Sequence, residues 1–174
     1  MALTTFQGPV RSLNGFISQG PGAVSAVSTA TLTLDVNNYS GRILPITLAT
    51  TTITLPTLNA SANPASSGPG SDPNNPNNLG TTYTFVITTA STAVKVITAA
   101  SNFLLGGVSM ADASSAASNF VANGTTIRSI NLNGSTTGGI VGSFFTVTAI
   151  TSTQWLIQGE LITSGGTATP FLTT

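Results

Sequence analysis

The sequence predicts an all-β protein: a β-sandwich or barrel-like single domain with an extended N-terminal arm and a long Pro/Asn-rich loop. Three observations carry that reading. Thr, Val and Ile recur in short alternating runs, and these side chains are stiff at χ1 and fit a pleated surface better than a helix. Turn residues punctuate the runs about every ten residues, the spacing of sandwiches and barrels. Helix signals are thin, with no sustained apolar stripe of 3.6-residue period. The 174 residues suit one domain, read as an arm at 1–22 and a β domain at 23–174.

Residues 29–36 alternate small polar with apolar side chains, so a strand with Leu32, Leu34 and Val36 inward is expected. Residues 52–55 put Ile53 and Leu55 on one face before Pro56 stops the ladder. Residues 82–88 alternate Tyr83, Phe85 and Ile87 with Thr84, Val86 and Thr88. Residues 93–97 form the next strand, with Ser91-Thr92 expected to turn a hairpin between them. At 110–120 the chain is Ala-rich but lacks an apolar stripe, and Ser and Asn compete with the helical backbone, so a loop is expected. Residues 125–132 place Ile127 and Ile130 on a core side, with a slip in alternation that reads as a bulge. The clearest hairpin joins 144–150 to 154–162 through Thr151-Ser152-Thr153. There Phe145, Val147 and Ala149 face Trp155, Ile157 and Gly159.

Two segments read as irregular. Residues 59–80 hold Pro, Gly, Ser and Asn with almost nothing to bury, which makes a long exposed loop. Residues 1–22, with Gly8-Pro9 and Gly20-Pro21-Gly22, read as an extended arm. The N-terminus lacks the basic and apolar regions of a signal peptide, so none is expected.

Charge is the most informative part of the composition. Asp, Glu, Lys and Arg make up 5% of the chain, against about 25% in an ordinary soluble domain. Net charge, which keeps ordinary proteins apart, is zero. A surface kept wet by hydroxyls and amides suits a protein that lives against copies of itself or a scaffold. The cations Arg11, Arg42, Lys95 and Arg128 are scattered, whereas nucleic-acid binding needs them clustered, so no nucleic-acid partner is expected. No apolar run approaches the roughly 20 residues of a membrane helix, so no membrane partner is expected either.

The same scarcity argues against chemistry, and no catalytic residue, cofactor or metal is expected. The chain has no His and no Cys, which removes Ser-His-Asp and Cys-His arrangements and the usual zinc ligands. Asp35, Asp72, Asp112 and Glu160 are far apart in sequence and lack the Asp-x-Asp spacing of a calcium loop. Lys95, the only lysine, falls in a predicted strand without a supporting motif. The run from Asn133 to Gly142 is Gly-rich but has no P-loop Lys and leads into a strand, so it reads as a turn connection. Trp155, Tyr39 and Tyr83 are candidates for a sugar-stacking platform, but Trp155 lies in an alternating strand that favours core or subunit interface.

Six blocks then appear in order: Gly41-Arg42-Ile43-Leu44, Thr52-Ile53-Thr54-Leu55-Pro56, Thr82-Tyr83-Thr84-Phe85-Val86, the run Ile130 to Gly139, Trp155-Leu156-Ile157-Gln158-Gly159, and Ala168-Thr169-Pro170-Phe171. Together they resemble small virion structural proteins of tailed bacteriophages, cyanophages and marine phages among them, of the capsid decoration (cement) kind. The resemblance runs from about residue 30 to the C-terminus. Its most specific part is Leu132-Asn133-Gly134-Ser135-Thr136-Thr137-Gly138-Gly139 with the terminal Thr-Pro-Phe. The insertion at 59–80 departs from the shorter connection of the pattern. The resemblance implies a β-sandwich-like homotrimer on the capsid exterior of a virion. Its partners would be copies of itself and the major capsid protein, held together against the pressure of packaged DNA. Two other readings fit the composition: a head-fibre or tail-associated adhesin, and a carbohydrate-binding module.

Overall fold

The computed structural model describes residues 23–60, 78–112 and 115–174; the arm at 1–22 and most of the 59–80 loop lie outside the described residues. In chain order the described elements are β1 (Thr31–Thr33), α1 (Val36–Tyr39), β2 (Ile43–Ile46), β3 (Thr50–Thr54), β4 (Thr82–Ile87) and β5 (Ala93–Ile97). They continue with β6 (Phe103–Asp112), β7 (Ser115–Asn123), β8 (Ser129–Leu132), β9 (Phe144–Ala149), β10 (Gln154–Thr163) and β11 (Phe171–Leu172). The protein is all-β, as its composition predicts. A five-stranded sheet in the order β1-β3-β5-β8-β11 packs on a six-stranded sheet in the order β2-β4-β9-β10-β6-β7.

From β1 to β5 the chain lays successive strands alternately in one sheet and the other, so neighbours within a sheet are parallel: β1 with β3, β3 with β5, and β2 with β4. Residues 24–27 begin this winding with parallel bridges from Val24 to Ile43 and from Val27 to Ile46. Pro45 sits in β2 because its missing donor faces this sparsely bonded margin, where its carbonyl accepts from Val27 N–H at 2.8 Å. The later strands close the sheets: β9 pairs antiparallel with β4 and β10, and β8 pairs antiparallel with β5 and β11.

The hairpin of β9 and β10 is as the alternation predicts, with Trp155 opposite Ala149 and Ile157 opposite Val147. Three expectations are corrected. The alternation at 29–36 ends early, because Asp35 caps α1, accepting from Asn38 N–H at 2.8 Å; Leu34 is buried, while Val36 enters the helical turn. The strands at 82–88 and 93–97 form no hairpin. They lie in different sheets, and the chain between them crosses the sandwich, Thr92 N–H bonding Ala49 C=O at 2.7 Å. Residues 110–120 are not a loop but belong to β6 and β7, which pair antiparallel with a register shift between Met110 and Asp112. Gly and Ala dilute the hydrophobic signal of these strands, yet Leu104, Val108, Met110 and Ala122 are all buried. Small residues are needed here: Gly106 has φ +117, and a Cβ there would run into the Ile157 carbonyl of β10.

The slip at 125–132 marks no bulge in a single strand, which is a further correction. β8 begins only at Ser129, and the preceding chain wraps around Asn123, whose Oδ1 accepts from the N–H groups of Thr125, Thr126 and Ile127 at 3.0, 3.0 and 3.3 Å. Asn133 repeats the device, accepting from Ser135, Thr136 and Thr137. Both turns read Asn-Gly-Ser/Thr-Thr, so the Gly-rich run is a turn connection as expected.

The core sits between the sheets. Phe85 and Phe145 are directly opposite on β4 and β9 and stack at 5.0 Å between ring centroids. Tyr83 and Trp155 lie beside them at 5.8 Å. Tyr83 is fully buried and its hydroxyl has no hydrogen-bond partner among the described residues. Burial, reinforced by the charge of Asp35, raises its pKa well above the ordinary 10.0. Below that ordinary value the phenol is neutral both folded and unfolded. Above it only the unfolded chain ionises, so stability falls as pH rises past about 10. Tyr83→Phe is expected to leave stability unchanged or raise it by about 1 kcal/mol at pH 7, and to remove this residue's share of the alkaline loss. Denaturant titrations at pH 7 and pH 10.5 check both; a loss above about 1 kcal/mol at pH 7 reveals a partner for the hydroxyl.

Candidate interaction surface

The outward side chains of the six-stranded sheet form rows fixed by strand register. One row runs Ile43, Thr84, Thr146, Gln158, Gly107, Val121 across β2, β4, β9, β10, β6 and β7. The next runs Pro45, Val86, Phe144, Glu160, Ser109, Asn119. Near β2 these rows place Ile43, Pro45, Val86 and Phe144 side by side, with Ile43 46% and Phe144 44% exposed. Val24, 49% exposed, extends the patch at the sheet margin. Beside it, threonine hydroxyls pair across strands, Thr82 with Thr148 at 3.1 Å and Thr84 with Thr146 at 3.3 Å. These hydroxyls satisfy each other, so the face presents methyl groups as well as oxygen.

The outer face of the five-stranded sheet is different in kind. Its rows are Thr31, Thr52, Lys95, Asn131 and Thr33, Thr54, Ile97, Ser129, Leu172. Hydroxyls and amides dominate it. Among the described strand residues each outer face carries one ionisable side chain, Lys95 on this sheet and Glu160 on the other. A partner therefore meets surface that costs little charge desolvation to cover.

The residues weighed for chemistry are dispersed. Asp35 caps α1, Asp112 accepts from Gly166 N–H at 3.1 Å, and Glu160 stands on the outer face between Phe144 and Ser109. Asp72 lies outside the described residues. Among the described residues there is no group of three or more His, Cys, Asp or Glu side chains. Trp155 and Tyr83 are both 0% exposed and pack on each other, so neither is presented to a sugar, and Tyr39 is half-buried against the core. No helix among the described residues is long and apolar enough to cross a membrane. The 59–80 segment is tied at its base: Asn59 N–H donates to Asn78 Oδ1 and Asn78 Nδ2 to Thr57 C=O, both at 2.8 Å.

Sequence reading found the poverty of charge but not the patch. Ile43 and Phe144 are 101 positions apart (144 − 43) and share one face, on either side of β4, only because the strand order is β2-β4-β9. No protein-family model, curated protein or solved structure matches the chain.

Proposed function

We propose that this protein is a structural, non-enzymatic virion component that binds the outside of a tailed-phage capsid as a homotrimer and stabilises the capsomer lattice. The observation that supports it best is the pair of outer faces with one ionisable group each, one face carrying the Ile43–Phe144 patch. The resemblance of the six sequence blocks to capsid decoration proteins suggests the address. Stabilisation works by mass action: a copy that binds only assembled capsomers shifts the equilibrium toward the lattice. Three linked copies at a local three-fold position raise their joint affinity through effective concentration.

Residues 1–22, whose sequence is low in charge and reads as an arm, are assigned the anchoring role, because such a segment can add main-chain hydrogen bonds along a neighbour's edge strand. Deleting residues 1–20 is expected to abolish capsid decoration while the trimer stays folded. Capsids mixed with the truncated protein, pelleted and quantified by gel, give the readout; unchanged occupancy refutes the arm's role.

A further inference from the structure

The open edge of β7 is the one long strand margin that the described fold leaves bare. The other margins are short: three residues of β1, two of β11, and two isolated bridges at 24–27. β7 runs for nine residues, Ser115–Asn123. Natural sheets protect such edges with charge, proline, a bulge or a covering loop. β7 contains no ionisable residue and no proline, and both the register shift beyond Met110 and the contact of Ser118 Oγ with Thr167 Oγ1 at 2.9 Å come before Asn119–Asn123.

Register shows which groups are open. Gly124 N–H donates to Leu104 C=O at 2.8 Å, in step with Leu105 opposite Asn123. Alternate residues of an antiparallel strand turn both main-chain groups to the partner. The N–H and C=O of Asn119, Val121 and Asn123 therefore point away from β6, and no described residue takes them up. The amide side chains do not cover them: Asn119 Oδ1 accepts from Ser109 Oγ at 2.9 Å, and Asn123 holds the turn that follows. Val121 lies midway between them, 76% exposed.

We propose that β7 pairs antiparallel with β7 of a second copy about a two-fold axis through Val121. In that register Val121 faces its own counterpart and Asn119 faces Asn123 of the other copy, so all three open residues exchange main-chain hydrogen bonds. The strand is suited to self-pairing because a two-fold sets it against its own sequence, where a charge at the axis would face its own copy. Gly124, at φ +74, bends the chain away and ends the pairing after Asn123. The contact is independent of the capsid reading. If the chain is a trimer, it joins two trimers.

The test uses purified full-length protein without capsids. The chain has no cysteine, so Val121→Cys introduces a lone thiol. A hydrogen-bonded antiparallel pair sets the two Cα atoms about 5.5 Å apart, within disulfide range. Mild oxidation is expected to give a covalent dimer in high yield, while Val141→Cys, at an exposed control position (55%), stays monomeric on denaturing gels. Native mass spectrometry is expected to show even-numbered assemblies that Val121→Lys halves with unchanged circular dichroism. Equal cross-linking at both cysteines, no cross-link at 121, or an assembly unaffected by Val121→Lys overturns the proposal.

Discussion

Phe145→Ala is expected to lower unfolding stability by about 3–5 kcal/mol, a large share of the roughly 5–15 kcal/mol that holds a domain together. Phe145 is fully buried, stacks on Phe85, and lies where β9 crosses the centre of the six-stranded sheet. Its backbone and Cβ press against Gly159 of β10, where any side chain would clash with Phe145 itself. That close backbone packing limits how far the sheet can relax into the hole, which places the cost toward the upper end of the range. In a chain of this length the thermal midpoint drops by roughly 6–20 °C. Trp155, the only tryptophan and fully buried, reports the transition by fluorescence. A loss below about 1 kcal/mol contradicts the placement of Phe145 at the centre of the core.

Ile43→Asp combined with Phe144→Asp is expected to weaken capsid binding by about a hundredfold or more. Covering two half-exposed apolar side chains contributes about 0.7–1.5 kcal/mol each, roughly half the value for a fully exposed one; replacing them with carboxylates adds a desolvation penalty of similar size, and every 1.4 kcal/mol is a factor of ten in Kd. The carboxylate at 144 also lies directly across from Glu160 on β10, a like-charged pair that resists desolvation. Both positions face outward, so the thermal midpoint is expected to move little, which separates lost binding from lost folding. Co-sedimentation with capsids at graded concentrations measures the effect. Binding within threefold of wild type excludes this face as the capsid-facing one.

How much of this was legible in the sequence follows from the range over which each feature is encoded. The β9–β10 hairpin was legible because Phe145, Val147, Ala149, Trp155 and Ile157 alternate on both sides of a three-residue polar turn. β6 and β7 were not, because Gly106 and Gly107 leave room for close backbone approach and, with Ala117 and Ala122, carry little apolar signal. The crossing from β4 to β5 has the length and composition of a hairpin turn. Only parallel partners distant in sequence, β2 and β3, show that the two strands belong to opposite layers. Asp35 ended a promising strand with one side-chain hydrogen bond to a backbone N–H, which alternation alone does not foresee. The interaction surface divides in the same way. Its lack of charge is a property of composition; the Ile43–Phe144 patch and the bare β7 edge are products of strand order.

The most direct test of the assembly role is quantitative mass spectrometry of purified virions carrying this chain, with copy number expressed relative to the major capsid protein. A capsid-decorating trimer is expected at a fixed stoichiometric ratio to the capsid subunit, in many copies distributed over the head. A handful of copies per particle, as for a tail or single-vertex adhesin, or none at all, contradicts it.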